Sequence, residues 1–204
     1  LRFDAQINRI NATSNNVSNA VSFNQTQDGF LQKVGKALDR MSELSVLAQD
    51  VTKSNADRAL YNAEFQTLGS YISDIATKDF NGVSLFTATA LSVTTDSEAA
   101  TFSMSGVNLG ASAYSTATGS NITSTANAAT ALTNVKAAIT QLASDRGTVA
   151  ANLQRLNMTN EHLGVLRDNL SAANSRIKDV DVAFESTQYA KYNILVQSGT
   201  DRKS

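Results

Sequence analysis

The chain of 204 residues carries 17 Lys and Arg residues against 18 Asp and Glu residues, a formal net charge of −1 at pH 7. This balance argues against a nucleic-acid partner, because binding to phosphates depends on a basic surface. The absence of cysteine excludes disulfides and thiolate metal sites, and the absence of proline allows long uninterrupted helices. No apolar run approaches the ~20 residues that span a bilayer, so no membrane partner is expected.

Residues 1–79 predict two helices of a rod. Apolar side chains recur at a 3-4-3 spacing, which places them on one stripe of a helix. Ser54 and Asp57 form an S-x-x-D capping box that predicts the start of the second helix. The stripes consist of Ile7, Ile10, Val17, Val21, Leu31, Val34, Leu38 and Met41 in the first helix, and Leu60, Phe65, Leu68, Ile72 and Ile75 in the second.

Residues 80–126 change pattern and predict a small β region. Polar and apolar residues alternate over 91–95 and again over 101–105, with a turn at 96–98, which is typical of a β-hairpin. The segment 106–125 is rich in Ser, Thr, Ala and Gly, so we expect a loop or flexible surface segment.

Residues 127–178 predict the returning, C-terminal rod helix, and 179–204 the start of a truncated terminal helix capped by Asp179 and stopped at Gly199. The long stripe runs through Leu132, Val135, Ile139, Leu142, Val149, Leu153, Leu156, Leu163, Leu166 and Leu170. The predicted fold is mainly α, an elongated antiparallel coiled-coil-like helical bundle with a small β-hairpin region at one end. Both chain ends are expected at the same end of the rod.

Signs of chemistry are sparse. The only histidine, His162, is expected on a polar helix face, and no sequence pattern supplies a nucleophile or phosphate loop for it to serve. Asp179 and Asp181 could suggest a metal pair, but helix capping accounts for Asp179 better. Six Asn-x-Ser/Thr motifs occur, as chance provides in a chain of this composition. We therefore expect no enzyme activity, no cofactor and no metal.

Two ordered sets of residues resemble bacterial flagellin. The first rod helix of that family carries an L-x-R-x-x-E-L-x-V-x-A pattern, and its second helix leads into a turn that is matched here at residues 80–82. The returning half is similar to the family's C-terminal rod helix and to the start of its final helix. The N-terminal matches are Leu38, Arg40, Glu43, Leu44, Val46, Ala48, Glu64, Leu68, Ile72 and Ile75. The C-terminal matches are Arg155, Leu156, residues 169–173 and 175–181, Ile194, Leu195, Gln197, Gly199 and Thr200.

This resemblance implies a structural protein, a self-assembling subunit of the extracellular bacterial flagellar filament that serves motility. Such subunits leave the cell unfolded through the flagellar type III apparatus, without a cleaved signal peptide. The implied partners are other flagellin subunits, an export chaperone and the filament cap. The chain resembles a rod-domain fragment with truncated terminal segments, so we expect it to be monomeric in isolation.

The resemblance also implies recognition by the innate immune receptor TLR5. The family uses its first rod helix and the neighbouring helix for this contact, and the matching positions are Arg40, Leu44 and Glu64. Arg40 suits a charge-assisted, bidentate contact and Leu44 an apolar one. The alternative is that Arg40 and Glu64 form only an ion pair within the subunit.

Other interpretations stay open at this level. A hook–filament junction protein would share the rod topology. A helical signalling coiled coil, such as a chemoreceptor hairpin, would share the composition, although it requires continuous heptads through residues 80–126. Ser115, Ser120 and Ser124 are candidates for sugar attachment of the kind the family carries, and solubility explains them equally well.

Overall fold

The computed structural model describes residues 1–202 and is dominated by two long helices. In chain order the elements are α1 (Arg2–Leu47), α2 (Asn55–Ile75), β1 (Asp79–Phe80), β2 (Val83–Ser84), β3 (Leu91–Thr94), β4 (Thr101–Met104), α3 (Ser112–Thr118) and α4 (Thr125–Asp201). At 1.5 Å per residue, the 77 residues of α4 extend over roughly 115 Å. The predicted mainly α, elongated bundle is confirmed.

The core of the rod is the seam between α1 and α4, which run antiparallel. Side chains of the predicted stripes face each other there and are removed from water, which is the main source of stability for helices of this length. Gly35 lets the helices approach closely, because a Cβ at this position would lie 3.3 Å from Leu142 Cδ2. The fully buried stripe residues include Val17, Leu31, Val34, Leu38 and Met41 of α1, and Val135, Val149 and Leu156 of α4.

Polar contacts fix the register of α1 against α4. Arg146 Nε donates to Asp28 Oδ1 at 3.2 Å near the middle of the rod. Asn174 Nδ2 donates to Asp4 Oδ1 at 2.7 Å near the N-terminus of α1. Residue numbers rise along one helix as they fall along the other, so these pairs define an antiparallel alignment.

Helix α2 begins as the sequence predicts. Ser54 Oγ accepts from the Asp57 N–H at 3.2 Å, and Asp57 Oδ2 accepts from the Ser54 N–H at 3.0 Å, which completes the capping box. Phe65 and Ile72 are buried against the rod. Leu60, which the stripe includes, is 73% exposed, because five residues separate it from the buried Phe65 and place it about 140° around the helix, away from the packed face.

Two antiparallel hairpins follow α2. The β3–β4 hairpin confirms the predicted alternation, with Val93 opposite Phe102. The β1–β2 pair escaped the sequence analysis because each strand has only two residues; it turns at Asn81 and Gly82, which both have positive φ. Gly106, just after β4, is required by space, since a Cβ there would lie 2.2 Å from the Thr87 carbonyl oxygen.

The expectation of a flexible segment over 106–125 is wrong for its central part. Residues Ser112–Thr118 form α3, which lies between α2 and α4. Tyr114 and Ala117 are buried, as is Ile122 in the segment that follows. The apolar residues are spaced too sparsely among Ser and Thr to reveal a helical period within a seven-residue element.

The predicted boundary at Asp179 is also wrong. Helix α4 continues without a break through residues 178 and 179 to Asp201, so Asp179 caps nothing and Gly199 lies inside the helix. Because Asp4 meets Asn174 and Lys178, the last turns of α4 extend about 35 Å beyond the N-terminus of α1. Residues 1 and 201 therefore lie toward the same end of the rod but far apart along its axis.

Candidate functional site

The candidate site lies on the exposed surface where α1 and α2 run side by side. Arg40 Nε donates to Glu64 Oε1 at 2.7 Å, and Arg40 Nη2 donates to Glu64 Oε2 at 3.0 Å. Arg40 Nη1 also lies 3.2 Å from Glu43 Oε1, one turn along α1. One cation thus joins two carboxylates, and the three side chains, called the Arg40 cluster below, carry a net charge of −1.

Hydrogen bonding within the cluster shifts its titration. The hydrogen bonds from Arg40, reinforced by its charge, lower the pKa of Glu64 below its ordinary value of 4.5. Hydrogen bonding to Glu64 and then to Glu43 raises the pKa of Arg40 further above its ordinary range. Arg40 and Glu64 are therefore both ionised at neutral pH, so this pair presents fixed charges and no general acid or base.

The structure places two of the three predicted site residues at the surface and buries the third. Arg40 and Glu64 are brought together at the surface, with side chains 40% and 46% exposed. Leu44 is fully buried in the seam. The predicted exposed apolar contact at Leu44 is therefore not available on the isolated subunit, because this side chain points into the core from the turn after Arg40.

A buried arginine that the sequence analysis missed holds α1 and α2 in place. Arg58 Nε donates to the Ala48 carbonyl at 2.7 Å, Nη2 to the Asp50 carbonyl at 2.7 Å and Nη1 to Asn55 Oδ1 at 2.8 Å. These bonds satisfy carbonyl groups that the end of α1 leaves without helical partners. Arg58 is only 6% exposed. The sequence carries no signal of this burial, because an arginine in an amphipathic helix is ordinarily exposed.

A second candidate surface is the C-terminal part of α4, which passes the N-terminus of α1 at residues 174 and 178 and continues beyond it. Ala173, Ile177, Val180 and Phe184 follow a 4-3-4 spacing and lie on one face. Ile177 is 47%, Val180 66% and Phe184 64% exposed. Contiguous exposed apolar side chains of this kind mark an interaction surface.

The remaining sequence candidates do not assemble a reaction site. His162 is exposed on α4, as expected, and lies in an open groove beside Met158 and Arg155. Within residues 1–202, no three acidic or histidine side chains gather in a way that could hold a metal ion. Over the same residues, no helix has both the length and the apolar content that crossing a bilayer requires.

Comparison with known proteins matches both the N-terminal and the C-terminal parts of the chain to the same family. The bacterial flagellin N-terminal helical region matches residues 1–91, and the bacterial flagellin C-terminal helical region matches residues 132–202. Flagellin FlaB2 of Treponema pallidum is 32% identical, with 96% of this chain and 75% of that protein covered. The flagellin of Halalkalibacterium halodurans is 32% identical over 95% of this chain and 73% of its own length.

The fold agrees with these relatives. The crystal structure of Bacillus cereus flagellin superposes with a TM-score of 0.65 at 25% identity, covering 73% of this chain and 88% of that structure. Flagellins are structural filament proteins and not enzymes, which fits a molecule whose distinctive surfaces are helix faces. By the relatives and the shared rod, the chain belongs to the bacterial flagellin family.

Proposed function

We propose that this chain is a self-assembling subunit of the flagellar filament outside the cell. It reaches the filament by type III export without a cleaved signal peptide, with the chaperone and cap as partners on the way. The observation that carries the proposal is the exposed apolar face of α4 at Val180 and Phe184, which lies beyond the residues 174 and 178 that contact α1. A lone helix with such a face is marginal in water, whereas packing against neighbouring subunits would bury it.

The assembly proposal is tested in a bacterium whose flagellin carries this sequence. Replacing Val180 and Phe184 together by Asp should prevent filament formation, because the charges would have to be buried between subunits. Replacing Ser186 and Ala190 together by Asp is the matched control, since it adds the same two charges at the same spacing on another face of α4. Filament yield after shearing and swimming speed are the measurements. Normal filaments from the double variant would contradict the proposal.

We propose as a second function that TLR5 recognises the Arg40 cluster. The supporting observation is that Arg40 and Glu64, brought together from two helices, form an exposed charged group with fixed geometry. An Arg held in this way loses little conformational freedom when a receptor contacts its remaining surface. Leu44 contributes to this surface through packing beneath Arg40, since its side chain is buried.

Binding to the purified TLR5 ectodomain tests the receptor proposal. Arg40→Ala should weaken binding by about tenfold or more, the loss typical of an interface hot spot. Arg146→Ala is the matched control, because Arg146 is similarly exposed and also forms a surface ion pair, with Asp28, but lies elsewhere on the rod. Equal affinity of the two variants, or no binding by the unaltered chain, would remove the proposal.

A further inference from the structure

The six Asn-x-Ser/Thr motifs lie in different kinds of secondary structure. Five begin inside helices, where residue i+2 lies about 200° around the axis from residue i and points its hydroxyl away from the asparagine. The sixth, at residues 121–123, lies in the segment between α3 and α4. The five helical motifs begin at Asn11, Asn16 and Asn24 in α1 and at Asn157 and Asn169 in α4.

The Asn121 side chain is held by its oxygen. Thr123 Oγ1 donates to Asn121 Oδ1 at 2.7 Å, and the Thr123 N–H donates to the same oxygen at 3.3 Å, which forms an Asx turn. Asn127 Nδ2 donates to this oxygen as well, at 2.9 Å. Because a backbone N–H can only donate, the orientation of the amide follows from the network.

The Asn121 nitrogen, in contrast, is free for chemistry. Among residues 1–202, Asn121 Nδ2 donates no hydrogen bond, and the residue is exposed. A shallow open cavity of about 120 Å³ adjoins it, lined in part by Ser120 and Thr130. The nitrogen therefore faces solvent with room beside it.

The segment that displays Asn121 is anchored on both sides. Ile122 is fully buried, and its N–H donates to Asn62 Oδ1 at 3.1 Å. Gln66 Nε2 donates to the Ser120 carbonyl at 2.8 Å. These contacts with α2 hold the Asx turn in place, so that its geometry is present before any enzyme binds.

Two of the three loop serines, Ser120 and Ser124, are less exposed than Asn121 and use their hydroxyl groups within the fold. Ser120 Oγ donates to the Thr116 carbonyl at 2.7 Å and accepts from Asn134 Nδ2 at 3.0 Å. Ser124 Oγ caps α4 by accepting from the Asn127 N–H at 3.0 Å. Modification of the Ser120 hydroxyl would remove the bond that it donates, and modification of Ser124 would crowd the cap of α4, whereas Asn121 Nδ2 donates no bond that modification could break.

We propose that Asn121 is an attachment site for an N-linked sugar. The Nδ2 nitrogen forms a bond to the anomeric carbon of a sugar activated as its nucleoside diphosphate. The bond from that carbon to the diphosphate oxygen breaks, the diphosphate leaves with the electron pair, and one amide proton is released. The three donors on Asn121 Oδ1 stabilise the negative charge that develops there as the proton leaves.

The test uses the folded chain, UDP-glucose and a soluble asparagine glucosyltransferase that recognises Asn-x-Ser/Thr. Peptide mapping by mass spectrometry should find one hexose at Asn121 and none at the five helical motifs. Thr123→Val keeps the side-chain shape but removes the hydroxyl, and should abolish the modification, as Asn121→Gln should. Circular dichroism of each variant verifies that the fold is retained.

Six synthetic peptides, one for each motif, serve as the matched substrates without a fold. Modification of all six peptides, but of Asn121 alone in the folded chain, would establish that the fold selects the site. The proposal is overturned if the folded chain remains unmodified at Asn121, or if its helical motifs react as readily. Failure of the Asn121 peptide, with Asn121 modified in the folded chain, would show that the enzyme requires the preformed Asx turn.

Discussion

At the scale of single residues, burial separates side chains that the sequence makes look alike. Leu44 and Leu60 both belong to apolar patterns of helices that adjoin the same surface. Leu44 is fully buried in the seam, whereas Leu60 is 73% exposed. Leu44 of the family pattern therefore packs in the core of this chain, whatever the neighbouring surface residues of the pattern contact.

This difference predicts unequal costs for the same substitution. Leu44→Ala should lower the free energy of unfolding by about 2–5 kcal/mol, because it leaves a cavity in the seam. Leu60→Ala should change it by no more than about 0.5 kcal/mol. Urea unfolding followed by circular dichroism measures both, and equal losses would contradict this difference in burial.

The Arg40 cluster predicts a pH dependence at the same scale. The pKa of Glu64 is lowered in the folded chain, so its stabilising contribution is present above pH 4.5 and disappears as the pH falls through the lowered pKa. Carboxyl NMR titration should give a midpoint below 4.5 for Glu64. In Arg40→Ala the midpoint should return to about 4.5, near the value of an unperturbed glutamate. An unchanged midpoint would mean that the ion pair does not persist in solution.

At the scale of elements, α3 depends on one buried phenol. Tyr114 is 1% exposed, and its hydroxyl donates to Asp145 of α4, which also accepts from Gln141 Nε2 at 3.0 Å. The seven residues of α3 are too few to form a helix alone. Packing of Tyr114 against α4 therefore decides that this Ser- and Thr-rich segment is ordered.

Alkaline titration tests that dependence. Burial, assisted by the bond to the Asp145 carboxylate, raises the pKa of Tyr114 above its ordinary 10.0. The unfolded chain ionises first, so the stabilising contribution is complete below pH 10 and declines as the pH rises above it. Urea unfolding should show the unaltered chain more stable than Tyr114→Phe at neutral pH, with the difference shrinking above pH 10. A constant difference would contradict this view.

At the scale of the whole molecule, the rod has one supported and one unsupported part. Helix α4 packs against α1 as far as Asn174 and Lys178, and then continues with exposed side chains to Asp201. Isolated helical segments open readily, because only their own hydrogen bonds hold them. The extension is thus the part of the subunit most dependent on neighbours.

Limited trypsin digestion should reveal this division. Cleavage after Lys191 should precede cleavage after Lys136 or Arg146, which lie where α4 packs against the rest of the rod. Mass spectrometry of timed samples identifies the order of cuts. Simultaneous cleavage at all three positions would indicate that the seam does not protect α4.

The sequence by itself determined the elements whose signals are local and long. The 3-4-3 stripes predict the long helices, the S-x-x-D box predicts the start of α2, and the alternation predicts β3 and β4. The matching residues in both halves identify the family. Each of these signals depends on the period of one element or on an ordered motif, which needs no knowledge of what packs against it.

Only the tertiary structure decided the rest. The burial of Leu44, the bonds of Arg58, the order in α3 and the continuity of α4 past Asp179 all depend on contacts between residues distant in sequence. The local sequence of a short element, or of a single polar residue, has too weak a conformational preference to determine whether it is helical or buried. Their conformation follows from where the long helices place them, because burial and hydrogen-bond partners come from neighbouring elements.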